Sequence, residues 1–463
     1  MRRSGIVLGC WLGLAATAHA EAEKPAETAD AILIKEDEAW PRILHDALNL
    51  PGWLDLGFEQ RTRFEFLNGP FRPGEAETQT QYPQRTRLRV GVNGPEGVRF
   101  LAEVQDSRTW DDGVHDFTGS EIDKVSLTQL FVSVTRPDVL GTGLRADVHL
   151  GRMSLDFGSR RLIARNSFRN TTNAFDGVHV QLAEAANWRI RTFFVWTANL
   201  NPAYFRDTNQ GPQRLWGAYF EDREIPWLNF ELYYFGLHDG LGSGSTTQRN
   251  YSTFGSRWLR AAKVGQLDYE LEPMYQVGQR TVLRSGVPVK LDQRAYAAHA
   301  ELGYTFDAAW TPRLAAQFDY ASGTANPTGD GSETFFQLFG ARRFDLVATG
   351  IYGPFTRSNI LSPGGRLQVS PLPNWKGWLK VRYWRLAQAK DAFVGTGLSD
   401  PTGNAGRNLG TDLELSVQWT PRPWITLETG YDHWWKGSYL DEVPQSPSTL
   451  DSNYFYFSVM FRV

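Results

Sequence analysis

Thiols, imidazoles and long apolar runs are what this chain has least of. Of its 463 residues one is cysteine and eight are histidine. Cys10 falls inside an opening stretch that reads as a secretory leader: Arg2 and Arg3, an apolar run from Ile6 to Ala16, and a small-x-small site at Ala18-His19-Ala20. Cleavage near Ala20 leaves a cysteine-free chain, which excludes disulfides and thiolate metal sites. No histidine lies in a HExxH context and no serine in a GxSxG context, so an enzyme acting on lipid or peptide has no motif to stand on. Past the leader no run of eighteen apolar residues occurs, so no segment reads as a membrane helix. A surplus of positive charge is missing too. Without Arg2 and Arg3, 46 basic residues face 51 acidic ones, a balance of −5 that argues against nucleic acid as a partner.

What the chain does have is alternation. Leu54, Leu56, Phe58, Phe64 and Phe66 share one face of a strand, and Asp55, Glu59, Arg61, Arg63 and Glu65 share the other. A strand with one apolar and one ionic wall suits a soluble sheet, or a barrel whose apolar face meets lipid. Aromatic residues at 13%, with 17 tryptophans, suit membrane-interface girdles and large soluble β proteins alike. The connectors separate the two. Eighteen alternating segments run from near 53–66 to near 452–462. Long connectors such as Leu67–Pro83, Met153–Asn173, Gly278–Asp292 and Gly323–Ser362 take turns with short ones such as Asn93–Gly97, Glu184–Ala186 and Thr420–Pro423. Loops sorted by side, with both ends of the chain on the short-turn side, are how outer-membrane barrels are built.

The expected fold is therefore all-β, a single transmembrane antiparallel β-barrel of about 18 strands with short periplasmic turns and long extracellular loops. It occupies residues 51–463, behind a leader (1–20) and a periplasmic segment (21–50). In that segment the helical spacing of Trp40, Ile43, Leu44, Ala47 and Leu48 predicts a short amphipathic helix over Glu36–Leu48. The last strand, with Phe455, Phe457, Val459, Phe461 and Val463 on one face, resembles the signal read by the barrel assembly machinery.

Several stretches resemble the alginate-export family of outer-membrane barrels. They are Leu150-Gly151-Arg152-Met153-Ser154-Leu155 with Gly158, Arg160-Arg161-Leu162 and Phe175-Asp176-Gly177; Asp319-Tyr320-Ala321-Ser322-Gly323; Leu409 to Leu415; and Gly430-Tyr431-Asp432-His433-Trp434. The resemblance implies an eighteen-stranded barrel that exports an acidic polysaccharide. Two departures stand against polymer export: the family's long C-terminal periplasmic turn is only Thr420–Pro423 here, and the polar faces carry mixed charge.

Arg61, Arg63, Arg85, Arg87 and Arg89 fall on inward faces of the first two strands and would converge on one lumen wall if these pair as a hairpin. Guanidinium forks suit carboxylates and phosphates, so such a wall would select anions. Arg152, Arg189, Arg191 and Arg382 add positive charge elsewhere. The connector Met153–Asn173 carries Arg160, Arg161, Arg165 and Arg169. It either folds inward as a constriction or stays outside against lipopolysaccharide phosphates. Inward acids are as plentiful: Glu59, Glu65, Glu103, Glu270, Glu272, Asp319, Asp412, Glu414 and Glu428. Pairing with the arginines across strands is the plain account of them. Inward Tyr219, Tyr233 and Trp384 would stack on sugars or fill space beneath an inserted loop. Asn326–Gly331 reads as a plain turn more readily than as a calcium loop.

The functional expectation is a channel in the outer membrane, among lipid and lipopolysaccharide, passing an anionic saccharide or small anion with no metal or cofactor. Alternatives are an uptake porin for small carboxylates or oligosaccharides and, less favoured, a barrel enzyme.

Overall fold

Alternation along the chain becomes a closed wall in the computed structural model, which describes residues 40–111, 119–184, 187–203, 207–240, 247–343 and 345–463. The strands are β1 (Leu54–Asn68), β2 (Thr78–Asn93), β3 (Val98–Asp111), β4 (Asp123–Arg136), β5 (Arg145–Met153), β6 (Phe175–Glu184), β7 (Trp188–Asn199), β8 (Thr208–Ile225) and β9 (Leu228–Asp239). They continue as β10 (Thr247–Arg260), β11 (Leu267–Arg284), β12 (Val287–Thr305), β13 (Arg313–Ala321), β14 (Ile360–Val369), β15 (Trp375–Leu386), β16 (Asn408–Arg422), β17 (Ile425–Lys436) and β18 (Ser452–Arg462). Each pairs antiparallel with its neighbours in sequence, and β18 returns to β1 with Phe64 opposite Phe457. Closure leaves no sheet edge unpaired, which is what a strand structure in lipid requires.

The wall is apolar outside and ionic inside. Leu88, Leu150, Leu232, Leu302 and Leu314 are exposed on the outer face, where lipid would cover them. Trp53, Trp227, Trp310 and Trp424 ring the short-turn end, and Tyr82, Trp110, Tyr296 and Trp435 mark the other. Two aromatic belts flanking an apolar band fit a bilayer-spanning barrel.

Two expectations need correction. Gly278–Asp292 is not a long loop: β11 and β12 run on as a hairpin that turns at Ser285-Gly286, both with positive φ. Two residues in that conformation match the twist of the flanking strands. Among the described residues the helix before the barrel is α1 (Ile43–Ala47); the expected part from Glu36 to Glu38 and Ala39, like the leader, lies outside them. A second short helix, α2 (Ser438–Glu442), caps the last long connector.

Candidate functional site

The first hairpin brings the basic wall together. In its register Arg61 faces Arg85, Glu59 faces Arg87 and Gly57 faces Arg89. Glu59 is buried and accepts hydrogen bonds from Arg85 (3.0 and 3.2 Å), Arg87 (2.9 Å) and Arg462 (2.9 Å). Glu65 pairs with Arg63 at 2.6 Å. Several other N–H groups of the wall point at main chain. Arg61 donates to the carbonyls of Ser167, Phe168 and Arg169 (2.8–3.1 Å), Arg63 to that of Phe168 (2.7 Å), and Arg85 to that of Ser167 (2.9 Å). At the short-turn end the Trp40 ring lies over the guanidiniums of Arg87, Arg89 and Arg462, 5.3–5.8 Å away. Gly57 makes that possible, because a Cβ there would stand 2.4 Å from the ring.

Those carbonyls belong to the loop 154–174, which folds into the lumen. Its Arg165 pairs with Asp156 (3.0 Å), and Arg169 reaches Asn173 Oδ1 (2.7 Å). Arg160 contributes its carbonyl to the amide of Ala341 (2.8 Å). Arg161, almost wholly buried, bonds Asp345 (2.9 and 3.1 Å), Glu270 and Glu272. Burial opposes its charge, yet Asp345, Glu270 and Glu272 hold its pKa well above the ordinary value. β2 and β11 stand nine positions apart around an eighteen-stranded ring. This loop therefore reaches from one wall of the lumen to the opposite one.

A second loop, 322–359, comes in from the other side and meets it. Ile163 and Phe339 form a parallel β-bridge, with Phe339 N–H donating to Leu162 O (2.9 Å) and Ala164 N–H to Phe339 O (3.2 Å). Arg343 ties this loop to Glu414 and Glu428, Ile351 N–H to Glu65 (2.8 Å), and Tyr352 to Asp412 (2.8 Å). Leu346 O accepts from Lys380 (2.6 Å), and Asp345 O from Arg382 (2.6 Å). Burial works against the Asp345 carboxylate, but Arg161 and Arg357 hold its pKa well below the ordinary range.

The other anticipated residues are also placed. Arg382 pairs with Asp319 (2.7 Å), Arg189 with Glu221 (2.5 Å), and Arg191 packs over Phe157 (4.2 Å). Glu103 accepts from Thr128 (2.9 Å) and Gln129 (3.1 Å), and Glu272 from Tyr233 (2.7 Å). Arg152 needs correction: it alternates with the inward His149 and Met153, and pairs off the lumen face with Asp176 (2.6 Å). Tyr219, Tyr233 and Trp384 are buried under Phe157 and Phe355, as filler beneath inserted loops. Asn326–Gly331 is a turn, with Gly329 N–H donating to Asn326 O.

On the extracellular side of the crossing loops lies a cavity of about 440 Å³, lined by Arg63, Arg72, Arg169 and Arg342 with Glu65, Glu75 and Glu121. Among the described residues Arg169 and Arg342 form no carboxylate pair; they donate to carbonyl and amide oxygens, including Gly353 O for Arg342 (2.9 Å). Burial lowers the Arg169 pKa to about 10. Burial, and then repulsion from Arg72, Arg169 and Arg357, lowers that of Arg342 to about 10. Both remain cationic at neutral pH, held beside open space.

A family model described as alginate export matches residues 52–451. The chain belongs to the alginate-export family. Solved outer-membrane proteins resemble this family member in fold. Pseudomonas aeruginosa OccK8 (OprE) superposes with a TM-score of 0.59 at 10% identity, over 89% of this chain and 98% of its own. Acinetobacter baumannii OccAB3 gives 0.58 at 10%, over 89% and 99%. Pseudomonas aeruginosa OccK3 (OpdO) gives 0.55 at 14%, over 90% and 97%. No curated protein sequence matches it. The alginate-export barrel is thus an outer-membrane channel.

Proposed function

We propose that the channel conducts anionic saccharides of the acidic-polysaccharide class named by its family. One observation carries this reading: the extracellular cavity in which Arg169 and Arg342 stand without carboxylate partners among the described residues. A guanidinium already bonded to a buried acid offers a solute little; one beside open volume with only neutral acceptors has charge to spare. The arginine wall then has mainly a scaffolding role, since Glu59, Glu65 and the loop carbonyls take up much of its hydrogen bonding.

The solute crosses without a cofactor, down its gradient. The leader is removed near Ala20 on the way to the outer membrane, and β18 presents the strand on which the barrel assembly machinery acts. N-terminal sequencing of the membrane-extracted protein tests the first point.

A second reading, uptake of small carboxylates, is favoured by the Ile163–Phe339 bridge, which joins the two loops across the lumen and stands in the way of a long chain. Bilayer recordings separate the two. Under a salt gradient the reversal potential should show anion preference, and Arg169→Gln with Arg342→Gln should reduce it at least threefold. Cation preference in the wild type would end the proposal. Interruption of current by long polyuronate, beyond that by its monomer, favours the saccharide-chain reading over uptake.

A further inference from the structure

A second cavity, of about 250 Å³, lies on the periplasmic side of the crossing loops and away from the arginine wall. Arg99, Thr135 and Arg145, at the periplasmic ends of β3, β4 and β5, form its rim, and Met153 to Asp156 form its roof. It therefore opens in the direction opposite to the Arg169–Arg342 cavity. Its volume lies just below the roughly 300–1,000 Å³ of small-molecule pockets, the scale of one sugar ring.

Two imidazoles line it. Phe131 stacks on His149 (5.1 Å between centroids), His149 meets His179 edge-on (5.6 Å), and His179 meets Phe157 (6.0 Å). His179 is 5% exposed, and its Nε2 has no hydrogen-bond partner. A buried ring nitrogen left unsatisfied costs free energy that a ligand hydroxyl would return. Charge at the cavity is net positive with the groups behind its lining included: Arg99, Arg145, Arg165, Arg189 and Arg191 stand against Asp147, Asp156 and Glu221, with Asp156 paired to Arg165 (3.0 Å) and Glu221 to Arg189 (2.5 Å) and Arg191 (3.6 Å). Asp147 is occupied by Arg145 (3.0 Å), Thr135 and Gln181 (3.2 Å).

We propose that this cavity captures a single anionic sugar ring arriving from the periplasm. The net positive field of the lining draws the carboxylate to the rim, a hydroxyl meets His179 Nε2, and the ring face lies against His149. The inference rests on the reading of the channel as a conduit for anionic saccharides, and it adds a loading site on the periplasmic side. Nothing in the arginine wall requires it.

The test uses the full barrel inserted in one orientation in a planar bilayer, with glucuronate and glucose as probes. Glucuronate added on the periplasmic side should interrupt the current at a concentration at least tenfold lower than from the extracellular side, and glucose should not. His179→Leu and, separately, His149→Leu should raise that concentration at least tenfold, in protein whose folded state is verified by heat-modifiable electrophoretic mobility. Equal block from both sides, or folded variants blocked as readily as the wild type, would overturn the site. Those outcomes in an anion-selective channel sink this inference alone; cation selectivity sinks the conduit reading with it.

Discussion

Arg161→Met tests whether the crossing loops limit conduction. The substitution keeps an unbranched apolar stem and removes the guanidinium that joins one loop to Asp345 of the other and to Glu270 and Glu272 on β11. Breaking a buried ion pair costs about 3–5 kcal/mol. The lower end applies, because each acid keeps another donor: Asp345 has Arg357, Glu270 has Arg257 (2.8 Å), and Glu272 has Tyr233 (2.7 Å) and Ser159 (2.8 Å). About 3 kcal/mol at about 1.4 kcal/mol per tenfold is roughly a hundredfold shift toward displaced loops. Single-channel records should then show long dwells at a conductance the wild type visits rarely. A folded variant with unchanged levels and dwell times would refute the argument. It would mean that the backbone bridge alone holds the loops, or that current bypasses them.

Glu59→Gln strips the shared carboxylate from Arg85, Arg87 and Arg462 across the β18–β1–β2 seam, at a cost of about 3 kcal/mol. The barrel should lose its SDS-resistant mobility at a lower temperature than the wild type, and an unchanged transition would contradict the assignment. Gly57→Val places carbon where the Trp40 ring sits, so α1 should lift and trypsin should cleave after Arg42 faster; equal cleavage rates count against the contact. Because the Asp345 pKa is held below the ordinary carboxylate value, its contribution is complete above about pH 4. It fades only as pH falls further, through the folded-state value. Loop-dependent conductance levels should accordingly hold steady from pH 8 to 5, and a transition near pH 6 would assign the loop linkage to another group.

The wall was legible because the face of a strand residue is decided by its immediate neighbours. That Arg61 and Arg85 share one lumen wall followed from alternation once the first two strands pair as a hairpin, and the register agrees. Parity also carried a signal that went unused: counting from His149 puts Arg152 on the other face. Ser285-Gly286 between alternating residues was a readable tight turn. The crossing loops were not legible. Whether Arg161 meets Asp345, or Arg343 meets Glu414, depends on two aperiodic segments folding inward to meet residues 184 and 71 positions away. The dibasic Arg342-Arg343 was the one local hint, of the same kind as Arg160-Arg161. Arg462 and Trp40 could not be linked to the wall before ring closure brought both ends of the domain together.

The Ile163–Phe339 bridge also has a mechanical consequence. An unbraced hoop of strands flattens into an ellipse under little lateral force, because hydrogen-bonded strands can hinge against one another. A strut bonded to β1 and β2 at one end and to β11 at the other fixes one diameter, and the second loop ties that strut to β15, β16 and β17. Changes in membrane tension should therefore alter the cross-section of this barrel less than that of one whose loops stay outside.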